Sequence, residues 1–167
     1  LYVHGYNDYF FQTEMADRWN AAGYHFYALD LRRYGRSLRP TQLLAFVRDL
    51  HSYFEELDAA VERIRAEGAR TVVLSGHSTG GLTSALYAHH RRDRDAIDAL
   101  ILNAPFLSFA GSPIERIALR SVFSRVGRLD PRWIVQKDGG PMYGWSLHRD
   151  FGKGGAWEFD LLWKRAG

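Results

Sequence analysis

Apolar residues along the first hundred positions follow two alternating rhythms. Short unbroken runs read as buried strands: Leu1-Tyr2-Val3, Tyr24 to Leu31, Thr71 to Leu74 and Ala96 to Asn103. Between them the spacing changes to steps of three and four. Gln12 to Ala22 predicts an amphipathic helix, with Met15, Trp19 and Ala22 on one face, Thr13 as N-cap and Gly23 as the stop. Pro40-Thr41 opens a long predicted helix that runs to Gly68. Its stripe is Leu44, Val47, Leu50, Phe54, Leu57, Val61 and Ile64. Leu82 to Ala88 has helical spacing too. Strands separated by helices need crossover connections, so the pattern predicts an α/β fold with a parallel sheet and helices on both faces. In such sheets functional groups gather beyond the carboxyl ends of the strands. His4-Gly5, Asp30 to Ser37, Ser78 and Asn103 to Phe106 are therefore expected to converge on one crevice.

After Pro105 the character changes. Ile114 to Val126 predicts a helix, with Ser112 as cap and Pro113 in the first position. Beyond it glycines interleave with aromatics from Trp133 to Trp163, and no strand-turn rhythm is clear. Large apolar side chains on a glycine-rich backbone suit a lid over an apolar pocket, and equally suit packing onto the core.

Composition narrows the field only a little. The 167 residues are 46% apolar, enough for a sizeable core. No apolar run approaches the roughly 20 residues of a membrane span. There are no cysteines, so disulfides and thiolate chemistry are excluded. The net charge of +3 comes from scattered arginines with acidic residues among them, so nucleic acid is not an expected partner. No charged leader region or cleavage site opens the chain, and the expectation is cytoplasmic, with any leader lying outside this sequence.

The candidate chemistry centres on Leu74-Ser75-Gly76-His77-Ser78-Thr79-Gly80-Gly81. Strand, G-x-S-x-G, helix is the context of a nucleophile elbow. Gly76 and Gly80 leave room for a cramped turn, and Gly81 lets the helix lie close to the sheet. The turn lifts the Ser78 hydroxyl to a helix N-terminus, where free N–H groups favour developing negative charge. Such a serine needs a histidine base, a carboxylate to orient it and main-chain donors for an oxyanion. Thr79 N–H and Tyr6 N–H are the expected donors. His4, Gly5, Gly76, His77, Gly80 and Gly81 are the expected supporting residues. Arg32, Arg33, Arg36 and Arg39 cluster near the rim. They read either as attraction for an anionic head group or as a solvated loop paired with carboxylates. Arg32, Arg36 and Phe106 are the candidate substrate contacts. No cofactor or metal is expected.

His4-Gly5, then Asp30-Leu31-Arg32-x-Tyr34-Gly35-x-Ser37, then Gly76-His77-Ser78-x-Gly80-Gly81 resemble the α/β-hydrolase fold. Within it they resemble the monoacylglycerol lipase, lysophospholipase and serine aminopeptidase-like group. The resemblance covers Leu1 to about Pro105 and departs at Arg33-Tyr34. It implies a core over residues 1–105 that starts near the third strand of the family sheet, and a cap-like segment over 106–167. It also implies a triad acid and histidine after the nucleophile. No later segment has that form: Asp130, Asp138, Asp150 and Asp160 do not end an apolar strand, and His148, the one later histidine, reads as a surface or cap residue. The acid and base are therefore expected beyond Gly167, and this piece alone is expected to have little activity. Asp30 precedes the nucleophile and reads as a loop-ordering residue. His51, His89 and His90 read as solvated or packing residues.

The function implied is hydrolysis of carboxylic esters, of lipase, lysophospholipase or esterase type, with a small-molecule ester or lipid as substrate. Contact with a membrane surface is compatible with this, and oligomeric state is open. A peptidase or amidase on the same scaffold remains an alternative, since fold does not fix the leaving group. A non-catalytic homologue acting as a binding module is another.

Overall fold

In a computed structural model, residues 1–130, 148–150 and 158 are described. Four strands, β1 (Tyr2–Val3), β2 (Ala28–Leu29), β3 (Val73–His77) and β4 (Ala99–Asn103), form one sheet in the order β2-β1-β3-β4. Every pairing is parallel. The register sets Val3 beside Gly76 and His77 beside Asn103, so the carboxyl ends of β1, β3 and β4 lie together. The predicted α/β class and parallel sheet hold, and the predicted crevice has its floor.

Helices α1 (Thr13–Ala21), α2 (Phe54–Ala66), α3 (Thr79–His90) and α4 (Pro113–Leu129) alternate with or follow the strands. Three of the four predicted strands are longer than those observed, most of all Tyr24 to Leu31, which pairs only over Ala28–Leu29, whereas β3 runs past the predicted end at Leu74 to His77. The first helix begins at Thr13 itself, so Thr13 is not its cap; Gln12 stands there without a side-chain cap bond. At α4 the reading of Ser112 and Pro113 is accurate. Ser112 Oγ accepts from Glu115 N–H and the Glu115 carboxylate accepts from Ser112 N–H, a reciprocal capping box.

The long helix predicted from Thr41 to Gly68 is the main correction. Only Phe54–Ala66 is α-helical, preceded by a 3-10 turn at Leu50–Tyr53. Two local events stop it. Ala45 has φ 56° and its N–H donates to Arg33 O (2.9 Å), which draws the segment onto the loop after β2. Asp49 is extended, and its carboxylate accepts from His51 N–H (2.9 Å), so it caps the turn that follows. Part of the apolar stripe persists because the loop packs two of its residues: Val47 and Leu50, joined by Ala45, sit against the core that holds Phe54 and Leu57.

That core lies between the sheet and the α2–α3 layer. Val3, Leu31, Tyr34, Tyr53, Phe54, Leu57, Leu74 and Tyr87 are its buried members. The Tyr87 hydroxyl donates to Asp58 (2.9 Å), which Arg91 grips with two further bonds (3.0 and 2.6 Å), so this tyrosine's polar end is satisfied. Leu57 is fully buried. Leu57→Ala is expected to lower stability by about 2–5 kcal/mol, read as a shift of the urea midpoint with an unchanged slope.

Candidate active site

β3 ends at His77 and α3 starts at Thr79, so Ser78 alone makes the turn. Its backbone stands at φ 53°, ψ −120°. A residue with a Cβ adopts such a conformation at a cost of order 1–3 kcal/mol, and holds it only where its surroundings over-determine it. Here they do. Ser78 N–H donates to Asn103 O (3.0 Å), while Ser78 O accepts from the N–H groups of Gly81 (3.0 Å), Leu82 (3.3 Å) and Phe106 (2.9 Å). The chain leaving β4 thus grips the serine's two peptide groups from one side, and the first turn of α3 grips from the other.

Missing side chains make room for the turn. A Cβ on Gly76 would lie 2.6 Å from Gly80 O and from Ser84 Oγ. A Cβ on Gly80 would lie 2.6 Å from Val3 O and nearer still to His4 O. The first turn of α3 therefore rests directly on the end of β1. Gly81 in turn lies against Pro105.

The segment after β1 forms the opposite wall. Gly5 is buried, and a Cβ there would sit 3.1 Å from Ser78 Cβ and 3.3 Å from His77 Cδ2. Tyr6 follows and is 54% exposed, and Asn7 turns the chain away at φ 49°. Across from it, Thr79 opens α3, so its N–H has no carbonyl one turn back to bind. Thr79 thus follows Ser78 directly, and Tyr6 follows the glycine that lies against it.

His4 ties this wall to the next strand. It is 1% exposed; Leu31 N–H donates to its Nε2 (3.1 Å), and its Nδ1 lies 2.8 Å from Gly5 O. An Nε2 that accepts must leave the proton on Nδ1, which then donates to the carbonyl just before Tyr6. Burial pulls the His4 pKa below the usual histidine value, with Gly5 O and the Asp8 and Asp30 carboxylates opposing it. The ring is held neutral in this tautomer. Tyr34 covers it, ring centroids 4.8 Å apart.

Asp30 is the loop-ordering residue that the sequence suggested. Its carboxylate accepts from Arg36 N–H (3.0 Å), Nε (2.6 Å) and Nη2 (2.8 Å), and Ser37 Oγ donates to its carbonyl (2.9 Å). Burial alone would raise the Asp30 pKa; the Arg36 bonds overcome it and hold the carboxyl below its usual value. Arg32 is engaged as fully, with Nη2 on Glu55 (2.7 Å) and Nε on Glu56. Arg33 donates to Phe46 O (3.0 Å). Arg32 and Arg36, the candidate substrate contacts, are each held in ion pairs with local carboxylates. Phe106 does stand at the site, with its N–H on Ser78 O and its ring 38% exposed.

His77 occupies the last position of β3, half-buried beside Gly5, as an elbow neighbour should. Of the two readings of His148, surface or cap residue, burial removes the first: it is 7% exposed. Asp150 N–H donates to its Nδ1 (3.1 Å), which places the proton of the neutral ring on Nε2. A serine base needs the reverse arrangement, with Nδ1–H held by a carboxylate and Nε2 free to accept. Asp138, Asp160 and the aromatic stretch from Trp133 to Trp163 lie outside the described residues, apart from His148 to Asp150 and Glu158.

Sequence reasoning missed the main-chain hold of Asn103 and Phe106 on Ser78, since main-chain bonds leave no trace in residue type. It also missed Glu56, which accepts from Arg32 N–H (3.2 Å) as well as from its side chain and so fixes the loop after β2 to α2.

A parallel sheet carrying a left-handed serine between strand and helix, walled by a His-Gly turn, defines the α/β-hydrolase class. The family model described as Serine aminopeptidase, S33 matches residues 1–148, and the chain belongs to that family. Among solved structures it is similar to a monoacylglycerol lipase of Paleococcus ferrophilus, at 25% identity and a TM-score of 0.59. That match covers 78% of this chain, which spans 46% of the lipase.

The His4 geometry predicts a pH dependence. The folded-state pKa lies below the ordinary value of 6.5, so the unfolded chain binds the proton first. Stability from this group is complete above pH 6.5 and falls as pH drops below it, by up to about 1.4 kcal/mol per pH unit. Urea midpoints between pH 8 and pH 5 are expected to show this slope, and His4→Asn is expected to remove one proton's share of it.

Proposed function

We propose that this protein is a serine hydrolase that cleaves carboxylic esters through an acyl-enzyme on Ser78. The observation that carries this reading is the φ 53°, ψ −120° backbone of Ser78 at the junction of β3 and α3. Strain at one serine, held by four main-chain hydrogen bonds, is the expected mark of a side chain whose direction matters.

In the proposed reaction the Ser78 hydroxyl attacks the ester carbonyl carbon and its proton passes to a histidine. The carbonyl oxygen takes the negative charge between Thr79 N–H and Tyr6 N–H, at the positive end of α3. The C–O bond to the leaving alcohol breaks, and the histidine returns the proton to that alcohol. Water then attacks the acyl-enzyme by the same route and frees the acid and Ser78. The base and its carboxylate are supplied from outside the described residues. His4 acts as a positioning residue, since its bond to Gly5 O sets the peptide that carries Tyr6 N–H. Phe106, Leu107 and Phe109 are all exposed and give the rim an apolar side suited to an acyl chain. With Arg32 and Arg36 paired internally, apolar contact supports substrate choice better than attraction of an anionic head group.

A peptidase or amidase reading has its own support in the description of the family model, while the similar solved structure is a lipase. Matched ester and amide substrates with one acyl group separate the two.

A fluorophosphonate probe tests the core of the proposal. It is expected to label the full-length protein at Ser78 and to leave Ser78→Ala unlabelled at an unchanged melting temperature. Ester turnover should fall roughly 10⁶-fold in that variant. An unlabelled native protein, or equal labelling of the variant, speaks instead for a non-catalytic binding module.

A further inference from the structure

At the far end of α3, about 18 Å along the helix axis from Ser78 at 1.5 Å per residue, two histidines face each other. His51, in the 3-10 turn before α2, places its Nε2 3.2 Å from His90 Nε2 at the end of α3. The rings stand nearly perpendicular, at 82°, with centroids 4.8 Å apart. The other nitrogen of His51 is already fixed: Nδ1 lies 2.7 Å from Asp49 Oδ1. A carboxylate accepts only, so Nδ1 carries the proton and the Nε2 lone pair points at His90.

We propose that His51 and His90 form a binding site for a divalent transition cation such as zinc, with both Nε2 atoms as ligands. Two imidazole nitrogens on a tetrahedral zinc, each about 2.0–2.1 Å from the metal, stand roughly 3.3–3.4 Å apart. The observed separation is close to that value before any side chain moves. The Asp49–His51 pair supplies the carboxylate–histidine arrangement that orients a metal-binding ring and raises its basicity. The cation takes up the His51 lone pair, and the proton that His90 Nε2 donates in the metal-free pair moves to its Nδ1 or to solvent. Among the described residues no group of three or more His, Cys, Asp or Glu side chains is arranged around a metal, so water completes the shell and the site is exchangeable. His89 is not a ligand, since its Nδ1 faces Arg92 Nη1 at 3.5 Å. Two arginines stand nearby: Arg91 is paired with Asp58 (2.6 Å), and Arg92 lies by Asp93 (3.6 Å). A bound cation cross-links the turn before α2 to the end of α3, beside the Phe54–Tyr87 ring contact that joins α2 to α3.

Titration calorimetry of the metal-free protein with zinc chloride tests this. The expected result is one zinc per chain, with affinity lowered at least tenfold in His51→Ala and in His90→Ala. Asp49→Asn is expected to weaken binding several-fold, and His89→Ala and His25→Ala less than twofold. His51 and His90 are both exposed, and their variants should melt like the parent without metal, while zinc raises the melting temperature of the parent alone. The proposal is overturned if zinc produces no saturable heat, or if His51→Ala and His90→Ala bind it as tightly as the parent, which would leave the pair a simple hydrogen bond.

Discussion

The main-chain hold on Ser78 is the constraint from which the rest of the structure follows. One peptide group donates to Asn103 O and the next accepts from Phe106 N–H, so the serine is suspended between β3, α3 and the chain leaving β4. This hold keeps a non-glycine residue in a left-handed conformation that it would leave if released. It also dictates the sheet order: β4 must lie beside β3 in parallel register for Asn103 to reach, and Asn103 is indeed the register partner of His77. The approach of α3 to β1 answers the same demand from below, since the helix can begin so abruptly only where Gly80 rests on the β1 backbone.

Around that point the polar groups are arranged so that each loop is tied by a buried or paired side chain. His4 links the loop after β1 to Leu31, Asp30 gathers Arg36 and Ser37, and Glu56 reaches back from α2 to Arg32. The strained serine is thus surrounded by loops with little freedom of their own. For the proposed reaction, in which an oxyanion is placed against main-chain donors, rigidity of this kind matters more than any single added contact, because donors that need not reorganise stabilise charge most strongly.

How much of this was legible in the sequence differs from element to element. The elbow was legible because G-x-S-x-G has one structural meaning when an apolar strand precedes it and a helix follows. The Ser112-Pro113 start of α4 was legible for a similar reason: its signals are local and act through neighbouring residues. The segment from Thr41 to Asp49 was misread because an apolar stripe at helical spacing is also what a loop needs to cover a core. Arg33, eight residues upstream of Thr41, decides that case by accepting from Ala45 N–H, and no local pattern carries that bond. Strand bounds differ, β1, β2 and β4 being shorter and β3 running on to His77, because apolar runs mark burial, whereas pairing depends on a neighbour at hydrogen-bonding distance.

By itself, the sequence determined the alternation of strands and helices, the parallel sheet it forces, and the identity of Ser78 as the residue at the tightest turn. Each of these rests on periodicity or on side-chain volume, which are properties of residues in order. Tertiary structure alone decided the His4 tautomer, the internal pairing of Arg32 and Arg36, the main-chain hold by Asn103 and Phe106, and the meeting of His51 with His90. Apart from the Arg36–Asp30 pair, six residues apart, those features join positions 23 to 39 residues apart, and several run through backbone atoms that every residue shares. A chain records which side chains it carries, but only folding brings a lone pair to a donor.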